Sequence, residues 1–341
     1  MQLVRQKEKN TTMRHGSGAP GAGRGRGSGG HRPVCAALVA LLVAAAGSGC
    51  ASGEGERAGD AGRGDRPAAG NPGAPAAAPA RPGGPGHRAA APETGRENAK
   101  LAPAVRAALA AKWGLAKPPL IAPEPPAVKP RITTRAGFEV EGGDDSLPPV
   151  FTTVPTEERI VFLTIDDGAE KDPELLRMMD ELDIPYSAFL SDYEVSDNYG
   201  YFGEARRRGT ALNNHTLNHP YLPGLSYAEQ EREICGQQEV IREEYGKQPV
   251  LFRPPYGNYN GDTLRVAKSC GIKAVPLWNA EAFPDHMEWR EEDQDLHPGD
   301  IILTHFRGRS EWGGSMTDLV RAVMKVVTDK GYAVARLEDY V

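Results

Sequence analysis

Hydrophobic positions fall into two regimes along this 341-residue chain. From position 148 onward, short apolar runs alternate with stretches of helical spacing, whereas between 51 and 145 neither period is sustained. The first run contains Ile160, Val161, Phe162, Leu163 and Ile165, the near-continuous pattern of a parallel strand covered on both faces. Strands are predicted at 159–165, 186–190, 210–214, 249–252, 273–278, 300–304 and 332–337, with helices between them. One helix covers 173–182. Ser226 and Glu229 form a capping box that opens a second, which runs to Tyr245 and is stopped by Gly246. A third, 262–270, ends at Gly271, and a fourth, 316–330, ends at Gly331. Repeated strand–helix units imply an α/β fold of parallel strands with right-handed crossovers, and seven strands are enough to curl into a distorted (β/α) barrel.

Composition divides the chain further. Gly, Ala, Pro and Arg dominate the N-terminal third, which therefore lacks the apolar surface needed to offset the entropy of ordering it. Residues 51–145 are accordingly expected to be a disordered Ala/Gly/Pro-rich tether, with a short helix at 105–115, and 146–341 the one folded domain. No acidic residue lies between Thr11 and Gly53, and Arg14, Arg24, Arg26 and Arg32 precede an apolar run from Val34 to Ala46. That run is short for a bilayer span and is followed by small residues, so 1–50 reads as a secretion signal. Its end, Gly47-Ser48-Gly49-Cys50, resembles a bacterial lipoprotein box, in which Cys50 becomes the lipid-modified first residue; Gly47 stands where such boxes usually carry an apolar residue. Lipid anchoring and simple secretion both remain open. The formal net charge of -6, without a basic stripe in the domain, excludes nucleic acid as the expected partner.

Reactive residues collect at the ends of the predicted strands. The first ends in Asp166, Asp167 and Gly168, the third in His215, the fourth in Arg253, the fifth near Glu281 and the sixth in His305. In parallel barrels that end is where sites are built. Adjacent strand residues point to opposite faces, so the two aspartates can take different tasks, one toward a cation and one toward protons. By itself Asp-Asp-Gly is also a common turn signal. His215 and His219, four apart, face one way on a helical turn; a carboxylate from another strand end completes a two-histidine, one-carboxylate set suited to zinc or a similar divalent ion. His15, His31, His87, His286 and His297 lie in the tail or in polar loops and read as solvated. Cys235 and Cys270, on successive helices, are candidates for a disulfide if the domain is exported.

Over 150–341 the sequence resembles the polysaccharide deacetylases of carbohydrate esterase family 4, the NodB-homology group. Thr164-Ile165-Asp166-Asp167-Gly168 is similar to the first motif, with Ile165 in place of the usual Phe. His215-Thr216 with His219 matches the second, Arg253-Pro254-Pro255-Tyr256 the third, and Ile302-Leu303-Thr304-His305 the fifth. The resemblance implies a NodB-type barrel in which Asp167, His215 and His219 hold the metal, zinc before cobalt or nickel. It further implies Asp166 as general base, Arg253 as the cation that holds it, and His305 as general acid. Tyr256 would help stabilise the oxyanion through its backbone N–H, and Thr216 would lock the histidine loop. The fourth motif departs from the family: where an Asp-Trp pair usually serves the acid histidine, this chain offers Glu281 and Asp285. The implied activity is metal-dependent deacetylation of N-acetylated sugars in a cell-envelope polymer such as peptidoglycan, or in chitin oligomers. Alternatives are a carbohydrate-binding module with impaired catalysis, an acetylxylan esterase, and a tethered structural protein without metal. The expected setting is outside the cytoplasm, as a monomer that meets the membrane only through a lipid anchor.

Overall fold

The strand that ends in the paired aspartates is central to the sheet. The computed structural model describes residues 100–140 and 143–341; the expected signal segment, Cys50 and the tether up to residue 99 lie outside the described residues. The chain opens with α1 (Pro103–Lys112), β1 (Val150–Phe151), β2 (Ile160–Asp167), α2 (Pro173–Leu182) and β3 (Ser187–Leu190). Two short helices, α3 (Asp192–Val195) and α4 (Tyr199–Arg207), lead to β4 (Ala211–Asn214) and the long α5 (Tyr227–Tyr245). Then come α6 (Gly261–Ser269), β5 (Val275–Pro276), β6 (Ala280–Ala282), β7 (Met287–Trp289) and β8 (Ile301–His305). The chain finishes with α7 (Arg309–Trp312), α8 (Met316–Asp329) and β9 (Ala333–Ala335). The four helices predicted within the domain are present to within one residue, and the short one expected at 105–115 is found at Pro103–Lys112. The Ser226–Glu229 capping box forms, and Gly246 closes α5 in the left-handed conformation at φ 74°.

The main sheet runs β4-β3-β2-β8-β6-β7, with β9 also paired to β2. Every ladder in it is parallel except the β6–β7 hairpin. Along β2, Val161, Leu163 and Ile165 join a core with α2 and α8, while Ile160 and Phe162 face a second core that includes Phe252, Leu277 and Leu303. The strand period of two places Thr164 and Asp166 in line with Ile160 and Phe162, so the inner row turns polar as it reaches the C-terminal edge. Parallel register then sets the neighbours: Asp166 lies opposite His305 of β8, and Leu190 of β3 opposite Asn214 of β4, immediately before His215.

The expected seven-stranded barrel is not closed. The stretch at 249–252 forms no ladder; it touches its neighbours through single bridges, Asn214 to Phe252 and Leu251 to Ala274, and β5 pairs only two residues with β1. Pro249, Pro254, Pro255 and Pro276 flank or occupy this wall, and each lacks the N–H that a ladder requires. The result is a mixed sheet whose far wall is stitched by isolated bonds.

Residues 100–140, assigned by composition to the tether, are folded against the domain. Ala110 and Leu115 enter the helix-side core, Phe138 and Val140 pack against the inner one, and Leu120 bridges to Ala333. Arg135 pairs with Glu291 and donates to Thr152 and Asn279. A few spaced apolar anchors suffice here because the partner surface is already formed, a circumstance average composition does not register. Cys235 on α5 and Cys270 just after α6 are joined by a disulfide, with their Cα atoms 5.1 Å apart. Among the described residues no helix is long and apolar enough to cross a membrane.

Candidate active site

At the end of β2 the two aspartates, each 2% exposed, turn into the same pocket. Strand geometry alone would send them to opposite faces. Asp167 escapes that rule by adopting φ 75°, and Gly168 follows at φ 104°, where an added Cβ would come within 2.4 Å of Val195. Asp166 accepts a hydrogen bond from Nη1 of Arg253 at 2.7 Å through Oδ1. Arg253 is fully buried, and its other bonds reach Thr164 Oγ1 at 2.9 Å and the carbonyls of Pro276 and Leu277 at 2.8 and 3.2 Å. Its charge is thus enclosed, with four of its five N–H donors engaged, the condition under which a buried ion pair is tolerated.

His215 and His219 converge with Asp167, though not on the helical turn the spacing suggested. The segment is an irregular loop in which Thr216 (φ 72°) and His219 (φ 54°) take left-handed conformations. The loop is held by Thr216, whose N–H donates to Asn214 Oδ1 at 2.9 Å and whose Oγ1 accepts from the His219 N–H at 3.0 Å. Nε2 of each histidine lies 3.5 Å from Asp167 Oδ1. Nδ1 of His215 is 2.7 Å from the carbonyl oxygen of Arg253, so a proton assigned to Nδ1 leaves the Nε2 lone pair facing Asp167. Asp167 Oδ1 is buried without a hydrogen-bond partner, and the donor atoms of the three residues lie within 4.8 Å of one another. These residues could hold a metal ion. An orphaned carboxylate oxygen between two imidazole nitrogens fits a divalent cation such as zinc and leaves positions open for water and substrate.

Electrostatics favours the same reading. Burial pushes the Asp167 carboxyl up, but His215 close by and the other histidines outweigh it and hold the group well below the usual carboxylate range. Burial, with His215 and then other neighbours, pushes the His219 imidazole down to about 4, which keeps it a neutral nitrogen donor. For His215 burial acts downward, yet Asp166 and Asp167 raise it overall.

His305 stands across from Asp166, and the carboxylate that faces it is Glu281 of β6, with Oε1 3.5 Å from Nδ1. That is an ion-pair separation, longer than a hydrogen bond, and His305 Nδ1 has no hydrogen-bond partner among the described residues. Burial raises the Glu281 carboxyl. The other candidate, Asp285, has an 85% exposed side chain and pairs with His286 instead. Trp312 of α7 packs its ring against His305 in a T-shaped contact, centroids 5.8 Å apart. Tyr256, at φ 59° in the Pro255–Gly257 turn, lays its ring 4.6 Å from that of His219. Asp166, Asp167, both metal-site histidines, Tyr256 and His305 all line one cavity of about 290 Å³.

Sequence reasoning missed Arg307 and Trp312. Arg307 donates from Nη2 to Asp167 Oδ2 at 2.7 Å and also faces Glu194 and Glu311 at 3.4 and 3.2 Å. Asp167 is thereby divided, with one oxygen tied to arginine and the other turned toward the histidines. The available signal was no more than a cation two residues after a strand-end histidine, since the chain turns there through the Arg307 N–H to His305 carbonyl bond.

Comparison with known proteins gives a consistent result. Residues 153–275 match the family model described as polysaccharide deacetylase. An uncharacterised protein of Streptomyces coelicolor is 39% identical over 195 residues, covering 57% of this chain and 78% of that one. A peptidoglycan-N-acetylglucosamine deacetylase of Bacillus cereus is 27% identical over 187 residues, 52% of this chain and 84% of its own. Among solved structures, the Bc1960 peptidoglycan N-acetylglucosamine deacetylase aligns 94% of its chain with 57% of this one at 21% identity and a TM-score of 0.50, a likeness of fold.

Proposed function

The chain belongs to the polysaccharide deacetylase family, hydrolases acting on carbon–nitrogen bonds, and from that membership we propose that it removes acetyl groups from N-acetylated sugars of a cell-envelope polysaccharide. The observation that carries the reading is that Asp166 and His305, register partners on adjacent parallel strands, line one cavity with the Asp167, His215 and His219 cluster. A divalent ion held by that cluster, zinc by donor chemistry, would polarise the acetamide carbonyl and make a nearby water more acidic. Asp166, fixed by Arg253, accepts a proton from the attacking water. The water oxygen bonds to the acetyl carbon, and the Tyr256 N–H helps stabilise the resulting oxyanion. His305 gives a proton to the sugar nitrogen as the carbon–nitrogen bond breaks, releasing acetate and a free amine. Glu281 and Trp312 fix the histidine that performs this last step.

The peptidoglycan glycan strand is the preferred substrate, with chitin oligomers chemically equivalent at the acetamide. Export, with a lipid anchor at Cys50, belongs to the same proposal and is supported by the Arg-rich start, the apolar run and the cysteine that follows it. The test is acetate release from peptidoglycan fragments and N-acetylated chitooligosaccharides, before and after a chelator and again with zinc restored. Activity lost to the chelator and regained with zinc is expected. Tight oligosaccharide binding without acetate release at full metal content would favour the binding-module alternative.

A further inference from the structure

Next to the catalytic cavity lies a larger groove of about 740 Å³, bounded by the 114–117 segment, by Pro284 and by one side of α8. Trp312 lines both spaces, so the two are neighbours across its ring. Phe283, its ring centroid 5.1 Å from that of Trp312, extends the aromatic surface toward the loop. On the α8 side the groove spans Asp318 to Asp329, about 17 Å of helix at the usual rise.

The lining charges balance in number, Lys117, Arg321 and Lys325 against Asp285, Asp318 and Asp329. Asp329 pairs with Lys117 at 2.8 Å and with Lys325 at 2.9 Å, and Asp318 with Arg321 at 2.7 Å. Such a lining carries no net charge to attract an anion or a cation, but it offers many hydrogen-bonding atoms beside an aromatic ring. That combination suits a neutral, hydroxyl-rich ligand with apolar ring faces. Its volume is in the ~300–1,000 Å³ range of sites that hold drug-sized molecules, whereas the catalytic cavity alone is at the lower limit.

We propose that this groove is a distal subsite for a neutral glycan strand, which passes from the catalytic cavity over Trp312 and along α8. The inference rests on the deacetylase reading and deepens it: sugars remote from the reacting acetamide bind along α8, outside the catalytic cavity, and contribute to binding there.

The test uses neutral N-acetylglucosamine oligomers of increasing length with the full chain, wild type and two groove-filling variants, Ala322→Trp and Lys325→Trp. Ala322 is half-buried on the lining face of α8; Lys325 has a side chain 76% exposed, so its replacement leaves the core untouched. Neither touches the residues around the reacting acetamide. In the wild type, kcat/KM and calorimetric affinity should both rise with length, by about tenfold or more between the shortest and longest oligomers, equivalent to ~1.4 kcal/mol. Both variants should keep the short-oligomer values and lose the gain. A wild type indifferent to length, or variants that retain the gain, overturns the subsite. Length-dependent binding lost in the variants, with no acetate released by any protein, would uphold the groove and overturn the deacetylase assignment instead. Binding by an anionic oligosaccharide but not by the neutral series would also overturn the proposal.

Discussion

Replacing each aspartate at the end of β2 by asparagine should separate two functions that the sequence places side by side. At Asp167, Oδ2 accepts from Arg307 at 2.7 Å and Oδ1 faces both histidine nitrogens at 3.5 Å. An asparagine there turns its oxygen toward the arginine donor, which directs its NH₂ at the two Nε2 atoms and fills the metal seat with hydrogens. Metal affinity should fall by more than the ~10–100-fold typical of losing even an outer partner of a ligand. At Asp166, Oδ1 meets Arg253 at 2.7 Å and Oδ2 is 3.7 Å from His215. Asparagine keeps the oxygen on the arginine and leaves the Asp167, His215 and His219 donors intact, so metal content should stay near stoichiometric while the rate drops by ~10²–10⁴-fold, the range for a positioned proton acceptor. Arg253 would retain a hydrogen bond but lose its counter-charge, so destabilisation should fall below the ~3–5 kcal/mol of a fully broken buried pair. Elemental analysis, acetate release and thermal unfolding on both variants supply the readouts. Equal metal loss in the two, or near-normal turnover in Asp166→Asn, would refute the division of labour.

Other consequences can be checked independently. Glu281→Gln should lower kcat about tenfold or more with KM little changed, yet less than the ~10²–10⁴-fold of removing a general acid outright; an unaltered kcat would show that His305 needs no carboxylate. Reducing the Cys235–Cys270 disulfide, which closes a separation of 35 residues, should cost ~4 kcal/mol by chain entropy, and denaturant titration with and without reductant measures it. In the metal-free protein His219 is depressed from 6.5 to about 4, so its contribution to stability is complete above the unfolded value and is lost as pH falls through that window, by roughly 3 kcal/mol. His215, which is raised, works in the opposite direction, so the comparison is metal-free wild type against His219→Gln; a stability difference independent of pH would contradict the assignment. Cys50→Ala should move the protein from membrane fractions to the medium, and unchanged fractionation would leave simple secretion.

How much of this was legible in the sequence depended on how locally each feature is encoded. β2, α2, α5 and the paired aspartates could be read because runs, caps and turn glycines are written within a dozen residues. The convergence of Asp167, His215 and His219 was legible in outcome but not in geometry. Spacing suggested a helical turn, while the actual loop depends on two left-handed residues stabilised by Asn214 and Thr216 side chains. Three features escaped because their causes are distant. The far barrel wall fails through prolines whose missing donors matter only beside a neighbour. The 100–140 segment is held by sparse anchors on a preformed surface. Arg307 reveals its role only when β8 is laid next to β2 in register.

The carboxylate that faces His305 owes its place to strand register and side-chain length. Glu281 lies opposite Leu303 in the β6–β8 register, two residues before His305, and the strand period puts 303 and 305 on one face. The carboxylate must therefore cross a diagonal between neighbouring strands, a distance that favours long side chains over short ones. Glutamate spans it and stops 3.5 Å from Nδ1; an aspartate at the same backbone position would fall short by a methylene. The aromatic neighbour comes from a later element, since Trp312 lies on α7, after the histidine it packs against. Reach and charge are thus both required at this position, and Glu281→Asp should impair turnover nearly as much as Glu281→Gln although it preserves the charge. A fully active Glu281→Asp enzyme would mean that charge alone, without reach, governs His305.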